Sequence, residues 1–188
     1  IANIPSEPVT FTLPRMSVAR LLPILAKSHE PVEVSLNPGQ TQARFALTDI
    51  EFTTQLTMGT FPNYPQLIPT ERATRIVFNR AAFSHAFNTA AIYAREGAGN
   101  VRLRTVENGL LVSAVSDEMG TGEVRIDAEI EGPENKIAFN ARYVREAIET
   151  IDSERIALDL TNSSAQGVFR PVDDDSLTHV VMPMFVQW

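Results

Sequence analysis

One arrangement of apolar and polar positions occurs three times along the 188 residues. Each copy opens on an alternating run, Val9, Phe11 and Leu13 in VTFTL, Ile76 and Phe78 in RIVF, Ile137 and Phe139 in KIAF. Such period-two runs predict strands with one buried face. Behind each run, apolar residues recur at i, i+3, i+4 and i+7: Val18, Leu21, Leu22 and Leu25; Phe83, Ala86, Phe87 and Ala90; Val144, Ala147, Ile148 and Ile151. That spacing predicts an amphipathic helix. The last strand residue and the first helix anchor are five positions apart in every copy, Leu13 to Val18, Phe78 to Phe83 and Phe139 to Val144, which marks an internal repeat. Pro23 falls inside the first helical pattern, where its missing N–H is expected to kink or shorten the helix.

Further strand patterns separated by turn residues follow each helix. The first copy has Val32, Val34 and Leu36, then NPGQ, then Phe45 and Leu47, then Phe52 to Met58. The second reads VRLRTV, ENG, LLVSAV and EVRIDAEI; the third reads RIALDL, NSSAQG and LTHVVMPM. These are hairpin signals, so each unit is a strand, a helix and three strands. A helix with one apolar stripe needs a sheet to cover it, and such units are expected to pair into two-layer α+β domains with the helices on one face of antiparallel sheets. Three copies make one and a half domains.

Composition narrows the function classes. There is no cysteine, which excludes a disulfide framework, a thiolate metal site and a cysteine nucleophile. No apolar run approaches the roughly 18 residues of a membrane-spanning helix, and IANIPSEP has no basic segment followed by an apolar one. The opening on Ile1 instead of Met suggests a piece of a longer protein.

Charge is segregated by element. The net charge is −7, yet the predicted helical segments 15–29, 80–95 and 141–151 hold seven of the 16 basic residues and only two acids, Glu146 and Glu149. The rest carries nine basic and 21 acidic residues, a net of −12. On a helical wheel Arg20, Lys27, His85, Arg142 and Arg145 fall opposite the apolar stripes. A basic helical face on an acidic protein suits loose, sequence-independent contact with phosphates.

Catalytic signatures are missing. Asp173, Asp174, Asp175 and His179 lie in or beside a polar stretch without EF-hand or zinc spacing. His29 and His85 are far from any serine or carboxylate motif, and GxSxG, P-loop and GxGxxG sequences do not occur. The chain reads as a non-enzyme that needs no cofactor or metal, and Asn162-Ser163-Ser164 reads as a turn.

FPNYPQLIP at 61–69, IAFNARYVREAI at 137–148 and HVVMPM at 179–184, with the spacing between them, resemble the bacterial DNA sliding clamp family, the beta subunit of DNA polymerase III. The resemblance spans essentially the whole chain. It implies the DNA-clamp fold, with residues 1–72 the second half of the clamp's middle domain and residues 73–188 its C-terminal domain. It also implies a processivity factor that forms a homodimeric ring around double-stranded DNA, with Arg20, Lys27, His85, Arg142 and Arg145 toward the duplex. Its site would be the cytoplasm, at the nucleoid and replication fork, with no membrane contact.

The resemblance further implies a cleft that docks linear motifs of the polymerase III catalytic subunit, the clamp loader and repair polymerases. Carried over by position, its residues are Pro62, Gln66, Leu67, Asn140, Tyr143, Ser164, Val180, Met182, Pro183 and Met184. Methionine, valine, leucine and proline would form an adaptable apolar pocket, while Asn140, Tyr143 and Gln66 would hydrogen-bond the peptide. The ring interface would use Ile92 and Tyr93 with Asp117, Glu118 and Glu123, leaving an apolar patch on this chain that favours self-association. Three departures bear on these expectations. Gln66 stands where many clamps have Arg. Phe185, Val186, Gln187 and Trp188 follow the MPM motif, where many clamps end in Arg-Leu. The Asp-Gly-x-Arg-Leu strand of the family's cleft would precede Ile1, which makes the expected cleft half built. The alternative reading is a freestanding peptide-binding module that does not encircle DNA.

Overall fold

The computed structural model describes residues 8–95 and 99–188. The chain divides into two compact units, Ile1–Pro62 and Asn63–Trp188, each with its own apolar core.

In the first unit, helix α1 (Arg15–Leu25) precedes an antiparallel meander of β1 (Glu33–Leu36), β2 (Gln42–Ala46) and β3 (Glu51–Gln55). Asn37 shapes the β1–β2 turn, its Oδ1 accepting from the backbone N–H of Thr41 at 2.8 Å and of Gln42 at 2.9 Å. Leu21, Ala43, Phe45 and Leu56 form the buried core. Two expectations change here, and the shortening expected at Pro23 occurs. Among the described residues the VTFTL segment forms no strand; the backbone bond from Thr57 N–H to Thr12 O at 2.9 Å ties it to the unit, and Phe11 and Leu13 still pack on the core. Helix α1 contains Pro23 and stops two residues later, because proline cannot donate to the carbonyl four residues back; Lys27 therefore lies beyond the helix. Three strands are also too few to cover the whole stripe, so Leu21 is buried while Leu22 is exposed.

The second unit holds the other two repeats. The first comprises β4 (Thr74–Asn79), α2 (Arg80–Arg95), β5 (Asn100–Val106), β6 (Gly109–Ser116) and β7 (Gly120–Glu131). The second comprises β8 (Lys136–Asn140), α3 (Ala141–Thr150), β9 (Arg155–Leu160), β10 (Gly167–Pro171) and β11 (His179–Val181). All pairings in the eight-stranded order β11-β10-β9-β4-β7-β6-β5-β8 are antiparallel. The opening strand of each repeat is exchanged into the other. β4 sets Ile76 opposite Leu158 and Phe78 opposite Ile156, while β8 sets Ile137 opposite Leu103 and Phe139 opposite Val101. Neither repeat can complete its sheet alone, which is the physical reason for the pairing.

The five-residue spacing also has a local cause. Each of these opening strands ends in Phe-Asn, and the asparagine caps the helix that follows: Asn79 Oδ1 accepts from Ala82 N–H and Asn140 Oδ1 from Arg142 N–H, both at 3.0 Å. Satisfying a free N–H at a helix start in this way stabilises it by about 1 kcal/mol. The first repeat has Pro14 there, with no side-chain cap. All eight stripe residues of α2 and α3, including Ile151 just past the end of α3, are buried. Phe78, Phe83 and Phe87 stack in series with centroids 4.3 and 6.3 Å apart.

Strand β10 went unrecognised in the sequence because its five residues GVFRP begin with Gly and end with Pro, both of which read as breakers. LTHVVMPM yields only the three-residue β11. The chain passes from the first unit to the second at Pro62/Asn63, and the segment up to Ala73 is bonded to the second unit. Gln166 Nε2 donates to Leu67 O at 2.7 Å, Thr161 Oγ1 to Glu71 O at 3.0 Å and Ala73 N–H to Leu160 O at 2.9 Å.

Candidate functional site

Where β8 runs into α3, the second unit gathers six of the expected cleft residues. Asn140 and Tyr143 sit at the start of α3, Val180 is in β11, and Met182, Pro183 and Met184 follow it. The chain after β11 turns along β8, where Pro183 bridges to Phe139 and Met184 N–H donates to Ala138 O at 2.7 Å. This contact is the counterpart of the β4–β7 pairing in the other repeat. Beneath it the Phe139 ring is fully buried and packs against Phe169 at 5.8 Å. It also lies directly under Gly167, where a Cβ would collide with it, so only glycine fits at the start of β10 and lets β11 close over the ring.

The result is apolar surface on a rigid base. Met182 is 63% exposed, Tyr143 42% and Met184 39%. Tyr143 is held by Arg142, whose Nη2 donates to the phenol oxygen at 3.0 Å and whose guanidinium lies 4.8 Å from the ring centre. Asn140 Oδ1 is already committed to its capping bond, which leaves the Nδ2 protons to donate. Burial holds the His179 imidazole below its usual pKa, opposed in part by the negative charge of Glu146. Near neutral pH it therefore adds no charge beside Val180.

Leu67 is bonded to the turn that carries Ser164. Leu67, at the end of a single 3-10 turn (Tyr64–Leu67), is tied through its carbonyl to Gln166. Ser164 lies in the same β9–β10 turn, built by Asn162 Oδ1 accepting from the N–H groups of Ser164 and Ala165 at 2.8 Å. That turn leads into Gly167, which pairs with Val181 just before Met182. Gln66 is exposed beside Leu67. Pro62 belongs to the first unit. Sequence reasoning missed the supports Ala138, Gly167 and Gln166. Only the Gly gave any signal, and that was a misleading one.

The basic residues divide differently from the sequence expectation. Arg20, Lys27, His85 and Arg142 are exposed. Arg145 is half-buried: its Nη1 donates to Asn88 Oδ1 at 3.0 Å and its guanidinium lies 5.3 Å from the Phe87 ring centre, so it joins α3 to α2 as well as carrying charge. Arg142 also has Glu146 at 4.0 Å one turn on.

At the residues expected to form a ring interface, Ile92 is 54% exposed while Tyr93 packs against Gly122 of β7. Asp117 and Glu118 occupy the β6–β7 turn, and Glu123 is exposed on β7. β7 pairs with β4 only through Ala128–Glu131 but with β6 through Gly120–Asp127. Among the described residues, the outer edge of 120–127 therefore has no ladder partner. Asp173–Asp175 lie in the β10–β11 loop, where Asp174 caps Ser176 through bonds of 2.8 Å to its N–H and 2.6 Å to its Oγ. These bonds hold its carboxyl below the ordinary range. Among the described residues no group of three His, Asp or Glu is placed to hold a metal ion.

Comparison with known proteins places this geometry. The family described as DNA polymerase III beta subunit, C-terminal domain, matches residues 65–185. A beta sliding clamp from Staphylococcus epidermidis is 29% identical over 181 residues, which cover 95% of this chain and 48% of that protein. The chain thus spans about half the length of the curated relatives it matches. Among solved structures, the DNA polymerase III subunit beta sliding clamp from Pseudomonas aeruginosa bound to griselimycin is 26% identical. It superposes with a TM-score of 0.81 over 98% of this chain and 50% of its own. The Bacillus subtilis DNA polymerase sliding clamp is likewise 26% identical, with a TM-score of 0.81 over 98% and 49%.

Proposed function

The chain belongs to the family of the DNA polymerase III beta subunit, C-terminal domain, and from that premise we propose that it is part of a bacterial sliding clamp, a non-catalytic processivity factor acting on cytoplasmic DNA at the replication fork. Its second unit is the part that docks linear peptides from the polymerase III catalytic subunit, the clamp loader and repair polymerases. The observation that carries this reading is the exposure of Met182, Met184 and Tyr143 on a base fixed by β8 and Gly167. Exposed flexible methionines beside a rigid aromatic form a surface that adapts to a peptide's apolar anchors. Leu67, Gln66, Ser164, Val180 and Pro183 extend it within the second unit.

Duplex DNA would be met by the helices and by the turn that follows α1. Arg20, Lys27, His85 and Arg142 are exposed, and Arg145 supplies charge from a fixed position. A few phosphate contacts of this kind on an acidic protein bind weakly and without sequence preference, which is what sliding requires. The open edge of Gly120–Asp127, flanked by Ile92, Tyr93, Asp117, Glu118 and Glu123, fits a partner strand at the interface of a homodimeric ring.

The docking reading is tested by titrating griselimycin, the ligand of the Pseudomonas aeruginosa relative, against the chain and against a Met182→Ala/Met184→Ala double variant by calorimetry. Saturable binding is expected, weakened at least about tenfold in the variant because two exposed anchors are truncated. Equal affinity of both proteins would contradict the placement of the site.

A further inference from the structure

Beyond Met184 the chain continues along β8. Pro183 lies opposite Phe139, Met184 bonds to Ala138, and Trp188 reaches Lys136, at the far end of the strand. The Trp188 ring has the Lys136 ammonium 5.1 Å and the Arg102 guanidinium 5.7 Å from its centre. Among the described residues neither cation forms an ion pair, so the indole is the one charged-group contact both share. Between the two attachments Phe185 is 85% exposed, while Ala138, under the strap, is only 1% exposed.

We propose that Trp188 is a positioning residue of the peptide site: stacked on Lys136 and Arg102, it clamps the segment 182–188 along the edge of β8 and so presents Met182 and Met184 as one preformed apolar wall. The physical argument is one of preorganisation. β11 has only three residues, and beyond it the strap is held to β8 at the Pro183 bridge and the neighbouring Met184 bond. A strap fixed at one end frays, and a ligand must then supply the ordering entropy. Cation–π contact with two cations fixes the other end with a ring that remains half in water.

The inference rests on the docking reading, and its test separates the two. Backbone amide exchange of Met184 and griselimycin affinity are measured on the whole chain, on Trp188→Ala, on Trp188→Phe and on Lys136→Met. Trp188→Ala should lose Met184 protection and bind griselimycin about five- to tenfold more weakly, with Phe139 and Leu158 amides as protected as before. Trp188→Phe should restore most of both effects, and Lys136→Met should fall between. Retained Met184 protection in Trp188→Ala overturns the clamp, and lost protection with unchanged affinity overturns its positioning role. If the unmodified chain fails to bind griselimycin, the docking reading falls while Met184 exchange still decides whether Trp188 holds the strap.

Discussion

Replacing Asp159 with alanine is expected to lower the stability of the second unit by about 2–4 kcal/mol, seen as an earlier urea midpoint with an unchanged slope. Asp159 is a buried carboxylate, only 7% exposed, next to the last residue of β9. Three guanidiniums surround it, with Arg75 at 3.5 Å and Arg72 and Arg170 at 3.9 Å. Two of these come from flanking strands and one from the segment before β4, so the carboxylate ties together β4, β9, β10 and the chain leading to Leu67. Among the described residues its Oδ1 and the Arg170 Nε have no hydrogen-bond partner, and they adjoin a polar cavity of about 90 Å³, large enough for a bridging water. Alanine would leave three partly covered cations repelling one another; Glu131 offsets only Arg72, at 3.3 Å. The exposure of the arginines, 22–43%, keeps the expected loss toward the lower part of the range for a broken buried pair. A change under about 0.5 kcal/mol would mean that the cluster behaves as an exposed set of ion pairs.

Phe139→Ala is expected to cost about 3–5 kcal/mol, the range for a large buried ring replaced in a core that cannot collapse around the gap. Collapse is blocked on two sides. Gly167 offers no side chain to move in, and Phe169 is held in β10 between β9 and β11. The same ring underlies the Pro183 bridge, so griselimycin affinity should fall together with stability in this variant, whereas Asp159→Ala should reduce stability far more than affinity. Comparable loss of affinity in both, at temperatures where both are folded, would show that the surface is supported by the whole unit and not by β8.

The contrast between the repeats shows what the chain's own pattern could and could not reveal. The stripes of α2 and α3 were readable residue by residue because each meets a broad sheet, so period 3.6 and burial coincide. The first stripe is equally regular, yet Leu22 stays exposed because only three strands stand behind it. Periodicity reports which face is apolar and not how much partner is available to cover it. β10 was hidden by its own ends, Gly167 and Pro171, since the reason for the glycine is a ring 28 positions earlier in the sequence. The exchange of β4 and β8 between repeats, the attachment of residues 64–72 to the second unit and the bond of Arg145 to Asn88 are likewise long-range pairings that no local pattern encodes. The expected peptide-site residues came from family motifs, and the structure adds what composition could not, namely which of them are exposed and what holds them. Met119, exposed on the β6–β7 turn, and Met182, exposed after β11, look alike as residues and differ only in what surrounds them.

The five methionines make the central claim directly measurable. Met16 and Met58 lie in the first unit, Met119 at the β6–β7 turn, and Met182 and Met184 in the segment that follows β11. In a spectrum of the chain labelled with carbon-13 at the methionine methyl groups, titrated with griselimycin, the signals of Met182 and Met184 should move and saturate together while that of Met119 stays in place. A saturable shift at Met119, with Met182 and Met184 unmoved, would contradict the account and transfer the ligand site to the opposite repeat.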